Sequence, residues 1–205
     1  IRRSTGKTIS MNSKLKYSFA YVFLVLVMSQ MSLAINNNKD DGAKNILSNS
    51  NYMISMPDVK GNNIIFTECR NERFILNSNF GMKFDKENVF DPRFINSNEI
   101  EFETVKRSGI SYKKLSLISS DETNINSVNR SASVSYSKDS LMKCYSRDRH
   151  IFLERIPDNI PVQITSGNSF NYFPVFNGDD TGIIFCSDRK RGVGFTALYE
   201  IRINK

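Results

Sequence analysis

The chain contains few side chains of the kind that carry out hydrolysis. Its single histidine, His150, is the only candidate base for a serine nucleophile, and the sequence has no Gly-x-Ser-x-Gly segment. Two adjacent carboxylate pairs, Asp40/Asp41 and Asp179/Asp180, fall in a polar spacer and in a predicted turn, where solvated acids are expected rather than a glycosidase pair. The sequence therefore assigns no catalytic residue, and it indicates a structural or surface role for His150.

The three cysteines do not indicate a metal site. Cys69, Cys144 and Cys186 have neither the Cys-x-x-Cys spacing nor the neighbouring histidines of a zinc site. An oxidising compartment would allow one disulfide, but buried apolar packing is the favoured interpretation. We expect no metal and no cofactor.

One basic cluster is a candidate binding element. Asp188, Arg189, Lys190 and Arg191 form a charged turn between two apolar runs. A solvated turn is the simplest interpretation, and contact with an acidic partner is the functional one. We take these four residues as a candidate partner-binding turn.

The overall positive charge is concentrated at the N-terminus. The formal net charge is +7, but residues 1–34 hold five cations and no acid, which leaves 23 cations against 21 anions. A nearly neutral body does not favour nucleic-acid binding.

Residues 1–34 have the pattern of a secretory signal peptide. Lys14 and Lys16 precede an apolar run over 19–28, and Ser32 and Ala34 are small residues suited to cleavage after Ala34. Met11 is the expected start, and residues 1–10 are interpreted as upstream sequence. A polar spacer over 35–44 follows. An uncleaved membrane anchor stays open as the alternative.

The rest of the chain predicts an all-β repeat. Short alternating apolar runs are separated by Asn, Ser, Asp and Gly, and one strand-turn-strand layout occurs four times. The positions taken as equivalent, Phe66, Phe102, Cys144 and Phe185, are 36, 42 and 41 residues apart. This spacing is typical of one propeller blade per repeat.

The last copy carries a family resemblance. Its segments 172–176, 178–179, 183–185, 187–189 and 198–201 (YFPVF, GD, IIF, SDR and LYEI) resemble the repeat of TolB-type, or WD-like, β-propellers. The likeness covers about residues 45–205 and is weakest in the first copy, where Asn62-Asn63 replaces the usual turn and the leading proline is missing. The resemblance implies a propeller and a periplasmic binding platform.

Two architectures follow from the four copies. In one, Lys44 to Leu47 pairs beside Leu198 to Ile203 and closes a small ring of four blades, burying otherwise exposed strand edges. In the other, the chain is a segment of a six-bladed propeller, because the family usually has more than four blades.

The favoured function is a non-catalytic interaction module that binds a protein partner in the periplasm or cell envelope, or is secreted. It would bind no nucleic acid and would touch a membrane only through an uncleaved leader. The alternative is a propeller-type hydrolase or lyase acting on polysaccharide, or the propeller remnant of a peptidase. A convergent set of acids, His and Tyr at one mouth of the ring would favour the alternative, and a single histidine makes such a set hard to build.

Overall fold

The computed structural model describes residues 41–49, 52–107, 109–126, 134–190 and 195–203. All regular structure in these ranges is β-strand, arranged in four antiparallel sheets. The predicted start at Met11, the signal peptide with its cleavage after Ala34, and most of the spacer lie outside the described residues. The described part contains no helix with the length and apolar character of a membrane span.

The four sheets are the blades of an all-β propeller; three are built from successive strands, and the fourth combines the last three strands with the first. Blade 1 comprises β2 (Met53–Lys60), β3 (Asn63–Arg70) and β4 (Arg73–Ser78). Blade 2 comprises β5 (Val89–Phe94), β6 (Glu99–Lys106), β7 (Gly109–Ser116) and β8 (Glu122–Ile125). Blade 3 comprises β9 (Val134–Tyr136), β10 (Met142–Arg147), β11 (His150–Arg155) and β12 (Pro161–Gln163). Blade 4 comprises β13 (Asn171–Phe176), β14 (Gly182–Ser187), β15 (Ala197–Arg202) and the N-terminal β1 (Lys44–Leu47).

The predicted pairing of the N-terminal strand with the last one is confirmed. β1 lies antiparallel to β15, with Lys44 opposite Glu200, Asn45 opposite Tyr199 and Leu47 opposite Leu198. The pairing supplies blade 4 with its fourth strand and covers the edge of β15 from Leu198 to Glu200.

The first strand of blades 1, 2 and 4 contains the same bulge. Register shifts interrupt the pairing of β2, β5 and β13, and in each the residue before a proline has positive φ: Met56 at 50°, Asp91 at 46° and Phe173 at 52°. Proline suits a bulge because its missing N–H leaves no ladder bond unmade. Pro57 therefore occupies the place of Pro92 and Pro174, so the prediction that the first copy lacks its proline was wrong.

Apolar clusters join three pairs of blades. One packs blade 3 on blade 4 around Cys144 and Phe185, a second packs blade 4 on blade 1 around Ile184 and Phe66, and a third packs blade 1 on blade 2 around Ile65. The middle strands β3 and β14 consequently carry unbroken apolar runs, since both of their faces are covered.

Blades 2 and 3 are covered by a neighbouring blade on one face only. Among the described residues, no strand of blade 2 packs extensively on a strand of blade 3, so the blades are joined in the order 2-1-4-3. The sequence shows the same difference, because β6 and β10 alternate apolar and polar residues where β3 and β14 do not. Both uncovered faces carry charges of both signs: on blade 2 Glu101 lies between Arg93 and Lys114, and on blade 3 Lys143 is paired with Glu154 at 2.8 Å.

The register of blade 3 corrects one assumed equivalence. Tyr145 pairs with Phe152 and stacks on it at 5.9 Å, as Phe185 pairs with Tyr199 and stacks on it at 6.4 Å. Tyr145, and not Cys144, is therefore the equivalent of Phe185. A shift of one residue moves a side chain to the opposite face of a sheet, and Cys144 packs towards blade 4 instead.

Candidate interaction face

The hairpin turns that join the second and third strands of the blades lie at one end of the propeller. Arg149 O in the turn of blade 3 accepts a 3.0 Å hydrogen bond from Asn171 N at the start of blade 4. Thr196 O in blade 4 likewise accepts from Ile54 N at the start of blade 1, at 3.2 Å. Each of these loops therefore abuts the beginning of the neighbouring blade, which places them at a common end.

This end, which we call the cationic end, is defined by residues 70–73, 106–109, 147–150 and 188–190. Its described residues hold eight cations against three acids. The cations are Arg70, Arg73, Lys106, Arg107, Arg147, Arg149, Arg189 and Lys190; the acids are Glu72, Asp148 and Asp188. The charge is a property of the four turns together, which a linear scan for basic clusters does not detect.

Four of these cations make no ion pair with a described residue. Arg70 is paired with Glu68 at 3.2 Å, Arg73 with Glu87 at 2.8 Å, and Arg189 with Asp41 at 2.6 Å. Arg147 lies at the limit of an ion pair, 4.0 Å from Asp148. The remaining cations, all exposed to solvent, are Lys106, Arg107, Arg149 and Lys190.

Of the predicted partner-binding turn, Asp188 and Arg189 face the protein interior. Asp188 is buried, its Oδ1 accepts a 2.9 Å hydrogen bond from Phe170 N, and burial raises the pKa of its carboxyl group. Lys190 is exposed, and Arg191 lies outside the described residues. The role of the turn in partner binding stays a prediction, with Lys190 as its solvent-facing cation.

Arg189 forms a clasp between three parts of the chain. Its guanidinium donates two hydrogen bonds to Asp41, at 2.6 and 3.1 Å, and further bonds to Asn171 Oδ1 at 2.8 Å and Ser187 Oγ at 3.1 Å. Asp41 also accepts from Ser166 N at 3.0 Å. The two charged side chains are 10% and 6% exposed, so the pair is largely shielded from solvent. Burial opposes ionisation of Asp41, but the hydrogen bonds from Arg189 and Ser166 outweigh it and lower the pKa.

Sequence reasoning placed Asp41 in a solvated spacer and missed this clasp. The two residues are 148 positions apart. The only sequence signal that brings them together is the predicted pairing of Lys44 to Leu47 with the last strand, because Asp41 lies just before β1.

His150 lies at the start of β11 beside this clasp. The imidazole is partly buried, and its Nδ1 has no hydrogen-bond partner. Burial, reinforced by the positive charge of Arg149, lowers the pKa of His150. The lowered pKa favours the neutral ring at pH 7, and the structural or surface role of His150 stays a prediction.

The opposite end of the propeller uses its polar side chains to stabilise its own turns. Asn177 Oδ1 accepts hydrogen bonds from Thr181 N at 2.9 Å and Gly182 N at 3.0 Å. Asp180 is buried and accepts from Lys138 N in blade 3 at 3.0 Å. The carboxylate pair Asp179/Asp180 is thus part of a turn and of a contact between blades.

The cysteines and acids of the described residues form no metal centre. No group of three or more His, Cys, Asp or Glu side chains in this part of the chain is placed to hold a metal ion. The three cysteines are not paired in disulfides, and burial raises the pKa of the Cys144 and Cys186 thiols.

Comparison with known proteins gives only distant structural likenesses. No protein-family model and no curated protein matches the chain. Among solved structures, TolB from Acinetobacter baumannii is similar at 14% identity and a TM-score of 0.32, over 75% of this chain and 42% of that one. The β-propeller domain of the Trilobed protease from Pyrococcus furiosus, described as an open velcro topology, is similar at 12% identity and 0.32, over 75% and 56%.

An oligogalacturonate lyase from Vibrio parahaemolyticus is similar at 10% identity and a TM-score of 0.31, over 70% of this chain and 46% of that one. The chain spans about half the length of these structures. They include enzymes and a TolB, so they favour neither a catalytic nor a non-catalytic function. The strand order and register described above establish the propeller architecture.

Proposed function

We propose that the protein is an exported, non-catalytic binding module whose cationic end holds an acidic segment of a protein partner in the periplasm or cell envelope. The observation that carries the proposal is the group of four cations, Lys106, Arg107, Arg149 and Lys190, in turns of three different blades and without ion pairs to described residues. Cations presented at one end of a folded scaffold attract an anionic partner and favour one orientation of it.

Aromatic side chains at this end support a polypeptide ligand. Arg149 stacks over the Phe170 ring at 5.0 Å, and Arg70 stacks over Tyr52 at 4.1 Å, so both guanidiniums are held in place before a partner arrives. Phe195, in the loop that follows the predicted binding turn, is 47% exposed. A peptide can meet both kinds of group, with carboxylates on the cations and an apolar side chain on the exposed ring.

The proposed location depends on the leader. The basic, apolar and small-residue segments of residues 11–34 predict export, and the near-neutral body is compatible with an extracytoplasmic protein. The resemblance of the repeat to TolB-type propellers implies a protein partner in the envelope, which stays part of the proposal.

The test measures binding of a fluorescein-labelled 12-residue peptide rich in Asp and Glu by fluorescence anisotropy. The variant K106Q/R107Q/R149Q/K190Q should bind about 30-fold more weakly, because each exposed charge contributes roughly 0.5 kcal/mol. The matched control K44Q/K60Q/K83Q/K138Q removes the same charge from exposed lysines elsewhere and should bind within about twofold of the unchanged protein.

Equal weakening by the two variants would show that only net charge matters, and would contradict a binding face. Turnover of a polysaccharide or a peptide substrate by the purified protein would contradict the non-catalytic part of the proposal.

A further inference from the structure

A groove lies between blades 3 and 4, lined by β11, β12 and the end of β15. Its volume is about 430 Å³, within the range of small-molecule sites. β1 pairs with β15 only as far as Glu200, so the last residues of β15 are left without a strand neighbour on that side. The walls are aliphatic: Leu153, Ile160, Val162, Ile164, Ile201 and Ile203.

The outer wall of the groove exposes apolar side chains. Ile160 is 68% exposed and Val162 is 57% exposed, on and beside the edge strand β12. Single exposed aliphatic residues are common on protein surfaces, but here two of them continue an apolar surface formed by partly buried neighbours. A ligand lying in the groove would remove this surface from water.

Two arginines provide the charge at the groove. Arg155 and Arg202, at the ends of β11 and β15, both line it, and neither side chain makes an ion pair or hydrogen bond with another described residue. Asp41 also lines the groove, but its carboxylate is neutralised by Arg189. Asp158 is the one other acid in the lining, so with Asp41 paired to Arg189, two arginines remain against one acid.

We propose that this groove binds a linear aliphatic carboxylate. The alkyl chain lies along the six aliphatic side chains, and the carboxylate accepts hydrogen bonds from Arg155 and Arg202. Both arginines are exposed to solvent, and guanidinium groups match a carboxylate in geometry as well as in charge. The site is distinct from the cationic end, because neither arginine lies in its turns.

The test is isothermal titration calorimetry with dodecanoate, kept below its micelle-forming concentration. Saturable binding is expected, and R155Q/R202Q should weaken it at least tenfold. The matched control R107Q/K190Q removes two positive charges at the cationic end and should leave dodecanoate binding unchanged. The same control is expected to weaken binding of the acidic peptide, so failure of this proposal is distinguishable from failure of the proposed function.

Two further probes separate a built site from adsorption. Dodecyltrimethylammonium carries the same alkyl chain with a positive head group, and acetate carries the head group alone; neither should bind saturably. V162D should also weaken dodecanoate binding at least tenfold, with the circular dichroism spectrum unchanged because Val162 is exposed. Absence of saturable dodecanoate binding, equal binding of the cationic amphiphile, or binding unaffected by R155Q/R202Q would each overturn the proposal.

Discussion

The two ends of the propeller use their turns differently. At the end with turns between first and second strands, Asn, Asp and Gly dominate, and the described residues of 61–62, 95–98, 137–141 and 177–181 hold one cation against three acids. At the cationic end the corresponding balance is eight against three. The same repeat thus has two different ends. At one end, short polar side chains stabilise their own turns; at the other, long charged side chains are directed at solvent.

Two turns of the cationic end contain strained backbone conformations. Asn71 and Glu72 have φ of 48° and 64°, and Asp148 and Arg149 have φ of 50° and 71°. Consecutive positive φ values are typical of tight hairpin turns in which the second position favours glycine. Glu72 and Arg149 occupy that position, so each turn accepts backbone strain and presents a charged side chain there.

The largest effect is expected from the clasp at the cationic end. R189M should lower the free energy of unfolding by about 3–5 kcal/mol, because it leaves the buried Asp41 carboxylate without its counter-charge. Urea unfolding followed by circular dichroism measures the change. At the opposite end, K138M serves as the comparison and should cost less than about 1 kcal/mol, since Lys138 is exposed.

The double variant D41N/R189M removes both charges and should recover part of the loss. Equal destabilisation by R189M and K138M would mean that the Arg189–Asp41 pair contributes no more to stability than an exposed lysine at the opposite end.

The clasp also shows what a sequence can and cannot provide here. Apolar runs located β14 to within one residue, and the predicted pairing of residues 44–47 with the last strand is correct. The face of β10 was assigned one residue out of register, because alternation gives the period of a strand but not its phase. The clasp joins two polar residues 148 positions apart, for which neither spacing nor composition gives a signal.

The next largest effect is expected at the opposite end, where the turns that contain Gly61 and Gly178 are in close contact. A Cβ at Gly178 would overlap Gly61 O, so G178A requires the backbone of blade 4 or blade 1 to move. The expected cost is about 1–3 kcal/mol in the free energy of unfolding, with binding of the acidic peptide unchanged. S97A, in the exposed turn of blade 2, is the control and should be neutral. Loss of peptide binding in G178A would show that the two ends are not independent.

The stabilising effect of the Asp41 carboxylate should depend on pH. Its pKa is lowered in the folded protein, so the clasp stabilises the fold fully above the unfolded-state value of about 3.9, and this contribution is lost as the pH falls through the folded value. The difference in stability between the unchanged protein and D41N should therefore be constant from pH 7 to 5 and shrink below pH 4. A constant difference down to pH 2 would contradict the assignment.

The smallest effect concerns backbone strain at the cationic end. E72G should raise the free energy of unfolding by about 0.5 kcal/mol, because glycine accepts a φ of 64° without steric cost. It also removes an acid from the cationic end, so the acidic peptide should bind about twofold more tightly. Thermal unfolding and anisotropy measure the two changes; lower stability together with weaker binding would refute the interpretation of this turn.

The most direct test of the central claim, that one end of the propeller is the binding face, uses a matched pair of exposed isoleucines in blade 2. Ile110 is 55% exposed beside residues 106–109 of the cationic end, and Ile95 is 40% exposed at the opposite end. Each is replaced in turn by the photoreactive residue p-benzoylphenylalanine, and the protein is irradiated with the acidic peptide. Cross-linking from position 110 and not from position 95 is the expected result. Equal cross-linking from both positions, or cross-linking from position 95 alone, would contradict the claim.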